Sequence, residues 1–503
     1  MSSTVTLLQK TVSGVIWTGL AKLTMQGVLF IVTIVLARLL TPGDFGIIGM
    51  AAIVTVAVSM VNDRGLGTAI IQKKAFSKRH LDSLFWGSLG FGLVLLLGTS
   101  CLAFPVAYFF KLKIIAPVVI ALSAGFVIGA FGIVQKSLLT REMAFKKLSL
   151  IEIGAVLLSG LASILLALAN FGVWSLVVGM LMRDLVNVLV LWLVCPWKPK
   201  AHFAWREFRD FIGFSGNVLL NDLALYLNTN TDVMIIGRVL GSVLMGYYSL
   251  ALNLVKLPVT RLSGVVAKVV FPAFSEVQDN LPRFRNGYLK SLTFISLITF
   301  PILTGLALFA QEFILVFLGE KWLQMTWPLI ILTPMAMLKS IGTIKGSVLM
   351  ARGKPNIELL WNLAYLVPLA VVVYLGTRWG LVGVAAAFTL LHALSFPIIQ
   401  NITNRQIELD NRAFYRAFRP AFWATVVMVV TSIFLTRMVI IKVFNFSPLM
   451  VLMVGVTVAA LTYVSYLWSM HKELLQQLFE LITQKSQEKN LKPVNYAEGF
   501  IES

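Results

Sequence analysis

Apolar residues run along this chain in long stretches, each closed by a short cluster of charged residues, Gly, Pro or Asn. A helix needs about 20 consecutive apolar residues to cross the hydrocarbon core of a bilayer. By that measure the pattern predicts about fourteen spanning helices. The first six run over Val12–Leu39, Phe45–Ile71, Leu81–Phe109, Ile114–Leu139, Leu148–Ala169 and Val173–Val194. The next six run over Phe211–Leu240, Met245–Phe274, Tyr288–Phe309, Trp327–Met350, Leu359–Leu375 and Leu381–Thr403. Two more run over Ala417–Val439 and Pro448–Trp468. The fold class is therefore an all-α polytopic membrane protein.

The pattern repeats. Ala37-Arg38-Leu39-Leu40, Gly46 and Ala51 match Gly237-Arg238-Val239-Leu240, Gly246 and Ala251 at an offset of 200 residues. Pro117 and Arg141 match Pro328 and Arg352 at an offset of 211, and Gly172-Val173 matches Gly380-Leu381 at 208. A repeat of six spans, an even number, enters the membrane from the same side each time. The halves are then parallel repeats about an axis along the membrane normal, with binding sites expected between them near the midplane. This organisation gives an N-terminal six-helix lobe at 1–196 and an interfacial linker at 197–209. A second six-helix lobe follows at 210–405, then two further helices at 406–470 and a cytoplasmic tail at 471–503. The linker carries Trp197, Phe203 and Trp205 with Lys198, Lys200 and Arg206, a mixture suited to the headgroup level. In the tail, Leu474, Leu475, Leu478, Phe479 and Ile482 recur at helical spacing, the pattern of a short interfacial helix. Beyond Gln484 its composition favours disorder.

Composition agrees. The 503 residues are 58% hydrophobic and only 13% charged, with a mean hydropathy of +0.86. The net charge of +20 is carried mostly by short loops. Lys73, Lys74, Lys78 and Arg79 follow the second span, and Arg141, Lys146 and Lys147 the fourth. Lys198 and Lys200 follow the sixth, Arg283 and Arg285 the eighth, Arg352 and Lys354 the tenth, and Arg405 and Arg412 the twelfth. Loops after odd-numbered spans hold few, such as Lys111, Lys113, Lys321 and Arg378. The positive-inside rule then puts both termini in the cytoplasm. Basic residues dispersed between apolar spans argue against a nucleic-acid partner and for anionic membrane lipids. Cys101 and Cys195 form no CxxC pair and no disulfide framework.

One stretch, Asn228–Asp279, carries a resemblance. Its Asp232, Gly237-Arg238, Leu240-Gly241, Gly246-Tyr247, Ala251, Leu254, Pro258, Phe271-Pro272, Ser275 and Gln278 resemble the signature of the polysaccharide transporter family. That family belongs to the multidrug, oligosaccharidyl-lipid and polysaccharide exporters. The branch most alike is the colanic-acid and teichuronic-acid exporter type. The resemblance covers most of the chain and implies two six-helix lobes, no enzyme activity and a bacterial inner-membrane location. It also implies a flippase that carries an undecaprenyl-pyrophosphate-linked oligosaccharide to the outer leaflet by alternating access. A polysaccharide polymerase or export machinery is the implied protein partner.

Charges inside spans carry the candidate chemistry, because each costs about 2.5–3.5 kcal/mol near a bilayer centre on the insertion scale. Lys22, Lys256 and Lys339 lie well inside their spans with no carboxylate one turn away. With Arg261 they are read as lining a cationic cavity that holds the anionic head of a substrate. Asn217, Asn221, Asn228 and Asp232 share one helical face, which either lines the same cavity or glues helices together. Pro258 and Pro334 mark kinks. Arg141 and Arg352 are read as surface residues that snorkel. Asp63, Asp222, Asp232 and His392 are the candidates for a coupling ion. Asp63 has a plainer reading as an ion pair with Arg64, and His392 as a packing histidine. Glu152 and Asp184 are further carboxylates within spans, near a base or a membrane surface.

No GxxxxGK[ST], HExxH, Cys/His metal spacing or nucleophile elbow is present, so the reading contains no ATPase loop, catalytic residue, metal or cofactor. Three rivals remain: an antiporter of the same fold for drugs or small cations, a membrane glycan polymerase or ligase, and an uncoupled scramblase. Buried carboxylates would favour the antiporter. A sizeable outer loop would favour the polymerase, and the longest outer connection, Ala310–Thr326, is short.

Overall fold

The computed structural model describes residues 2–63, 78–205, 216–264, 266, 274–435, 447–474 and 476. Arg64, Lys268, Arg206 and the tail beyond Gln476 lie outside the described residues, as do the side chains of Asp63, Asn217, Asn221 and Asp222. The described residues are mostly helical, with no strand among them. The helices are α1 (Ser2–Leu39), α2 (Pro42–Asp63), α3 (Lys78–Phe110), α4 (Ile115–Ala130), α5 (Ile133–Arg141), α6 (Phe145–Leu168) and α7 (Val173–Val194). They continue with α8 (Gly216–Pro258), α9 (Leu281–Leu308), α10 (Thr326–Gly342), α11 (Lys345–Ala351), α12 (Pro355–Gly376), α13 (Gly380–Gln406), α14 (Asn411–Ser432) and α15 (Pro448–Met470).

Among the described residues, eleven helical runs are long and apolar enough to cross a membrane, or twelve with α4 and α5 counted as one span bent by 46°. The span expected over Ile114–Leu139 is thus broken into two helices. Gly132 lies at the bend, where a Cβ would sit 3.0 Å from Val188. The Trp192 indole donates to the Phe131 carbonyl at 2.8 Å, so the break leaves that acceptor satisfied. Two other runs contain breaks. In Leu225–Arg261, Gly241 has φ 85 and ψ −179, an extended mirror-image conformation open only to glycine. In Pro355–Gln406, the turn Thr377–Trp379 and Gly380, at φ 65, separate α12 from α13. At Pro258 the α-helical pattern of α8 gives way to one wide π-helical turn, Val259–Ser263.

The chain gathers into two compact units built from discontinuous segments. The first holds Met1–Leu254, Ile314–Met335 and Pro355–Leu394; the second holds Val255–Phe313, Ala336–Lys354 and Ser395–Ser503.

In the first unit, α1 packs on α6, α6 on α7, α7 on α4 and α4 on α3, with α2 against α4. Lipid tails are as apolar as leucine, so nothing drives leucines inward. Small residues that let backbones approach do the packing instead. Helix α6 shows the inversion: Ser159, Gly160 and Ser163 are buried, while Leu157, Leu158, Leu161 and Leu165 are 50–57% exposed. Gly160 meets Val32 of α1, and Gly179 of α7 sits against Ser163.

The tightest crossing joins α2 to α8. A Cβ on Gly46 would lie 1.8 Å from the Ser242 carbonyl oxygen, and a Cβ on Gly246 would lie 1.8 Å from the Pro42 carbonyl oxygen. Residues 42 and 242, like 46 and 246, are 200 apart, so the contact is reciprocal between the repeat positions found in the sequence. In the second unit, α14 packs on α9 and α15. The Phe414 ring is the hub, with the rings of Tyr288, Phe396 and Phe418 around it at 5.7–6.3 Å.

Candidate functional site

Polar side chains on membrane helices persist where they meet one another, the backbone or water. In the first unit one such meeting point is a cavity of about 440 Å³ walled by α2, α4, α5, α6 and α7. Thr55, Ser59, Lys136, Glu152, Asp184 and Asn187 give it polar groups; Leu122, Phe126, Ile151 and Val188 are among its apolar walls. Lys136 Nζ lies 3.7 Å from Glu152 Oε1. The Thr55 and Ser59 hydroxyls donate to the carbonyls of Ala51 and Val56. Two carboxylates and one ammonium thus line the cavity, with hydroxyl and amide groups beside them. Such a lining suits water, a proton or a small cation, or the hydroxyls of a sugar. The sequence reading noted Glu152 and Asp184 but not their convergence with Lys136 and Asn187. The available signal was that Asp184 and Asn187, one turn apart, share a face of α7.

Asp232 has a defined structural role. It is buried, its Oδ2 accepts from the Tyr248 hydroxyl at 2.7 Å, and its Oδ1 accepts from the Val233 amide at 2.9 Å. The two residues tie together the segments of α8 on either side of Gly241. Asn228 donates to the Asn362 carbonyl at 3.2 Å, a contact that joins α8 to α12 at that position. His392 packs edge-on to Tyr365, with ring centroids 6.4 Å apart. Lys22 is exposed at the middle of α1.

A second polar knot in the first unit fastens the segment 314–325 to the end of α1. Trp322 Nε1 donates to the Ala37 carbonyl at 2.8 Å, and Lys321 Nζ donates to the Arg38 carbonyl at 2.8 Å. Arg38 donates back, from Nε to the Phe317 carbonyl at 2.9 Å and from Nη2 to the Val316 carbonyl. The Tyr247 hydroxyl reaches the Lys321 carbonyl at 2.8 Å.

The second unit holds Lys256, Arg261 and Lys339. Lys256 is half-buried on the last turn of α8, Arg261 is exposed on the π-helical turn, and Lys339 is half-buried on the last turn of α10. Arg352 makes defined contacts with the backbone. Its guanidinium donates to the carbonyls of Gln406 at 3.1 Å and Gln278 at 2.9 Å, pinning two chain segments. Those carbonyls lie where helices end and have no helical partner, so an arginine is drawn to them. A buried chain of amides completes the unit: Gln400 donates to the Tyr288 hydroxyl and to Asn404, and Asn404 to Asn411.

The chain has relatives of known name. Residues 35–327 match the polysaccharide biosynthesis protein family. The lipopolysaccharide biosynthesis protein WzxC of Escherichia coli (strain K12) is 29% identical over 354 residues, covering 69% of this chain and 71% of that protein. The teichuronic acid biosynthesis protein TuaB of Bacillus subtilis (strain 168) is 26% identical over 420 residues, covering 83% and 87%. Among solved structures, the lipid II flippase MurJ in an inward closed conformation superposes with a TM-score of 0.70 at 14% identity. That superposition spans 92% of this chain and all of the MurJ chain, and it shows a shared fold. A family match over more than half of the sequence, on helices of this arrangement, makes the chain a multi-pass membrane protein of the polysaccharide biosynthesis protein family.

Proposed function

We propose that this protein is a flippase or exporter, not an enzyme, and moves a lipid-linked oligosaccharide across a bacterial inner membrane by alternating access. Membership of the polysaccharide biosynthesis protein family carries the reading, and the fold shared with a lipid II flippase supports it. Lys22, Lys256, Arg261 and Lys339 hold the anionic phosphate head, and Asn217, Asn221 and Asn228 supply hydrogen bonds. The lipid tail stays in the bilayer. Asp63, Asp222, Asp232 and His392 are the groups from which a coupling ion would be carried. Both termini face the cytoplasm. Dividing the long runs at Gly241 and at Gly376–Gly380 turns twelve spans into fourteen, arranged as two parallel lobes at 1–196 and 210–405 with two added helices. A polysaccharide polymerase is the natural neighbour to receive the product.

The test is transport by the protein alone. Liposomes containing only this chain should move a fluorescent polyprenyl-diphosphate-linked sugar between leaflets, read by loss of signal to a membrane-impermeant quencher. Cationic dye should not move in the same vesicles. Dye movement without sugar movement would replace the flippase with an antiporter. Release of free polyprenyl diphosphate or glycan chain growth would make the protein an enzyme.

A further inference from the structure

The repeat-related arginines Arg38 and Arg238 have different surroundings, although both belong to the first unit and flank the same α2–α8 crossing. Arg38 has backbone acceptors: it donates to the Phe317 and Val316 carbonyls in the π-helical turn Ile314–Leu318. Such a turn leaves carbonyls to spare. Arg238 meets the end of α3, an ordinary α-helix up to Phe110. Its guanidinium carbon lies 5.5 Å from the centre of the Phe109 ring. Its Nη1 is buried and has no hydrogen-bond partner among the described residues. A charged donor held without an acceptor is unfavourable, and an arriving anion relieves it.

The space beside Arg238 is a pocket of about 680 Å³. After α3, the chain turns at Lys111 (φ 57) and brings Lys111 and Lys113 to the same pocket. Both lysines are exposed. Phe104, Tyr108 and Pro117 help to wall it, and no carboxylate lines it. Three cations around an open space, backed by aromatic and apolar walls, suit a phosphate oxyanion attached to something apolar. The loop after α3 follows an odd-numbered span, so the positive-inside rule puts it on the outer face. Basic residues there run against that rule's charge bias and call for another reason.

We infer that Lys111, Lys113 and Arg238 form a binding site for the phosphate of a lipid headgroup at the outer face. There it gives the anionic head of the lipid-linked cargo a station on arrival in the outer leaflet. The second clause rests on the flippase reading; the binding site itself does not.

Binding is measured on the full chain in phosphatidylcholine nanodiscs, with polyprenyl diphosphate as the probe and intrinsic tryptophan fluorescence as the readout. The Lys111→Gln, Lys113→Gln double variant changes only exposed side chains, and Arg238→Gln is made separately with its melting temperature recorded. Affinity should fall about tenfold or more in the double variant and at least as much in Arg238→Gln. Millimolar inorganic phosphate should compete weakly, and phosphatidylglycerol should compete better. Unchanged affinity in the double variant overturns the site. Inorganic phosphate competing as well as the lipid overturns the lipid assignment. Leaflet-to-leaflet transport is measured on the same preparations. Wild type that binds through these residues but moves no sugar lipid sinks the flippase reading and leaves the site. Wild type that transports while the variants bind normally sinks the site and leaves the flippase reading.

Discussion

Adding one methyl group at Gly46 or Gly246 should loosen the first unit, and adding both should cost less than the sum. In either single alanine variant the new Cβ would lie 1.8 Å from a backbone oxygen, and real Cβ atoms essentially never come closer than 3.0 Å. The oxygen belongs to Pro42 or Ser242, at the start of α2 or just past the Gly241 break, so no side chain can rotate out of the way. The two helices must separate. Overpacking of this kind costs about 1–3 kcal/mol. The two clashes sit on one crossing, with the backbone nitrogens of Gly46 and Gly246 each 3.1–3.2 Å from the Cβ of the other. Separation that admits one methyl group largely admits the other. The double variant should therefore be less destabilised than the two singles together, with a coupling of about 1–2 kcal/mol. Thermal unfolding of the detergent-purified protein, followed by tryptophan fluorescence, reads all four states of the cycle. Strictly additive losses, or no loss in either single variant, would refute a reciprocal crossing at these glycines.

Other outcomes follow from single groups. Asp232→Asn keeps an acceptor for the Tyr248 hydroxyl and should fold and transport near the wild-type level, whereas Asp232→Leu should lower the melting temperature. Loss of transport in a well-folded Asp232→Asn would instead give this carboxylate a charge-carrying role. Lys256→Gln with Lys339→Gln should leave protein abundance near normal and reduce sugar-lipid transport, and transport at the wild-type level would remove both lysines from the substrate site. Cys195 is buried at the end of α7, and burial raises its thiol pKa above the ordinary value, a nearby backbone hydrogen bond at Trp197 opposing this in part. Less thiolate is present at neutral pH than in a free cysteine. In a Cys101→Ser background, maleimide should therefore label the folded protein slowly at pH 7 and the detergent-denatured protein fast.

Much of the helix pattern was legible because a bilayer imposes one length and one polarity on every span. The break between Leu240 and Met245, the α12–α13 break and most span boundaries follow from the lengths of the apolar runs. What run length cannot show is where a helix bends when its partners compensate. Phe131 and Gly132 interrupt a run that reads as continuous, and the indole that satisfies the freed carbonyl comes from Trp192, sixty-one residues on. Likewise nothing in the sequence around Arg352 reveals the two helix-end carbonyls that it meets at Gln278 and Gln406. The polar cavity in the first unit escaped for the same reason. Its groups come from four helices, and whether they converge depends on the rotation of each about its axis, which small residues such as Gly125 and Gly132 help to set.

Repetition carries a different kind of information. The identities between positions 37–51 and 237–251 are few, yet they include the glycines that let the two copies touch at equivalent points. A small residue kept in both copies is thus explained by the copies packing on each other. Arginine in both copies has no such common explanation. Arg38 ends on carbonyls of the segment after α9, and Arg238 ends beside two lysines after α3. The segments that answer them stand at matching places in the two halves but fold differently, one through a π-helical turn and one through a tight turn at Lys111. Equal residues in unequal surroundings mark where the two copies have parted in role. One arginine is committed to holding the chain together, and the other keeps its charge for a ligand.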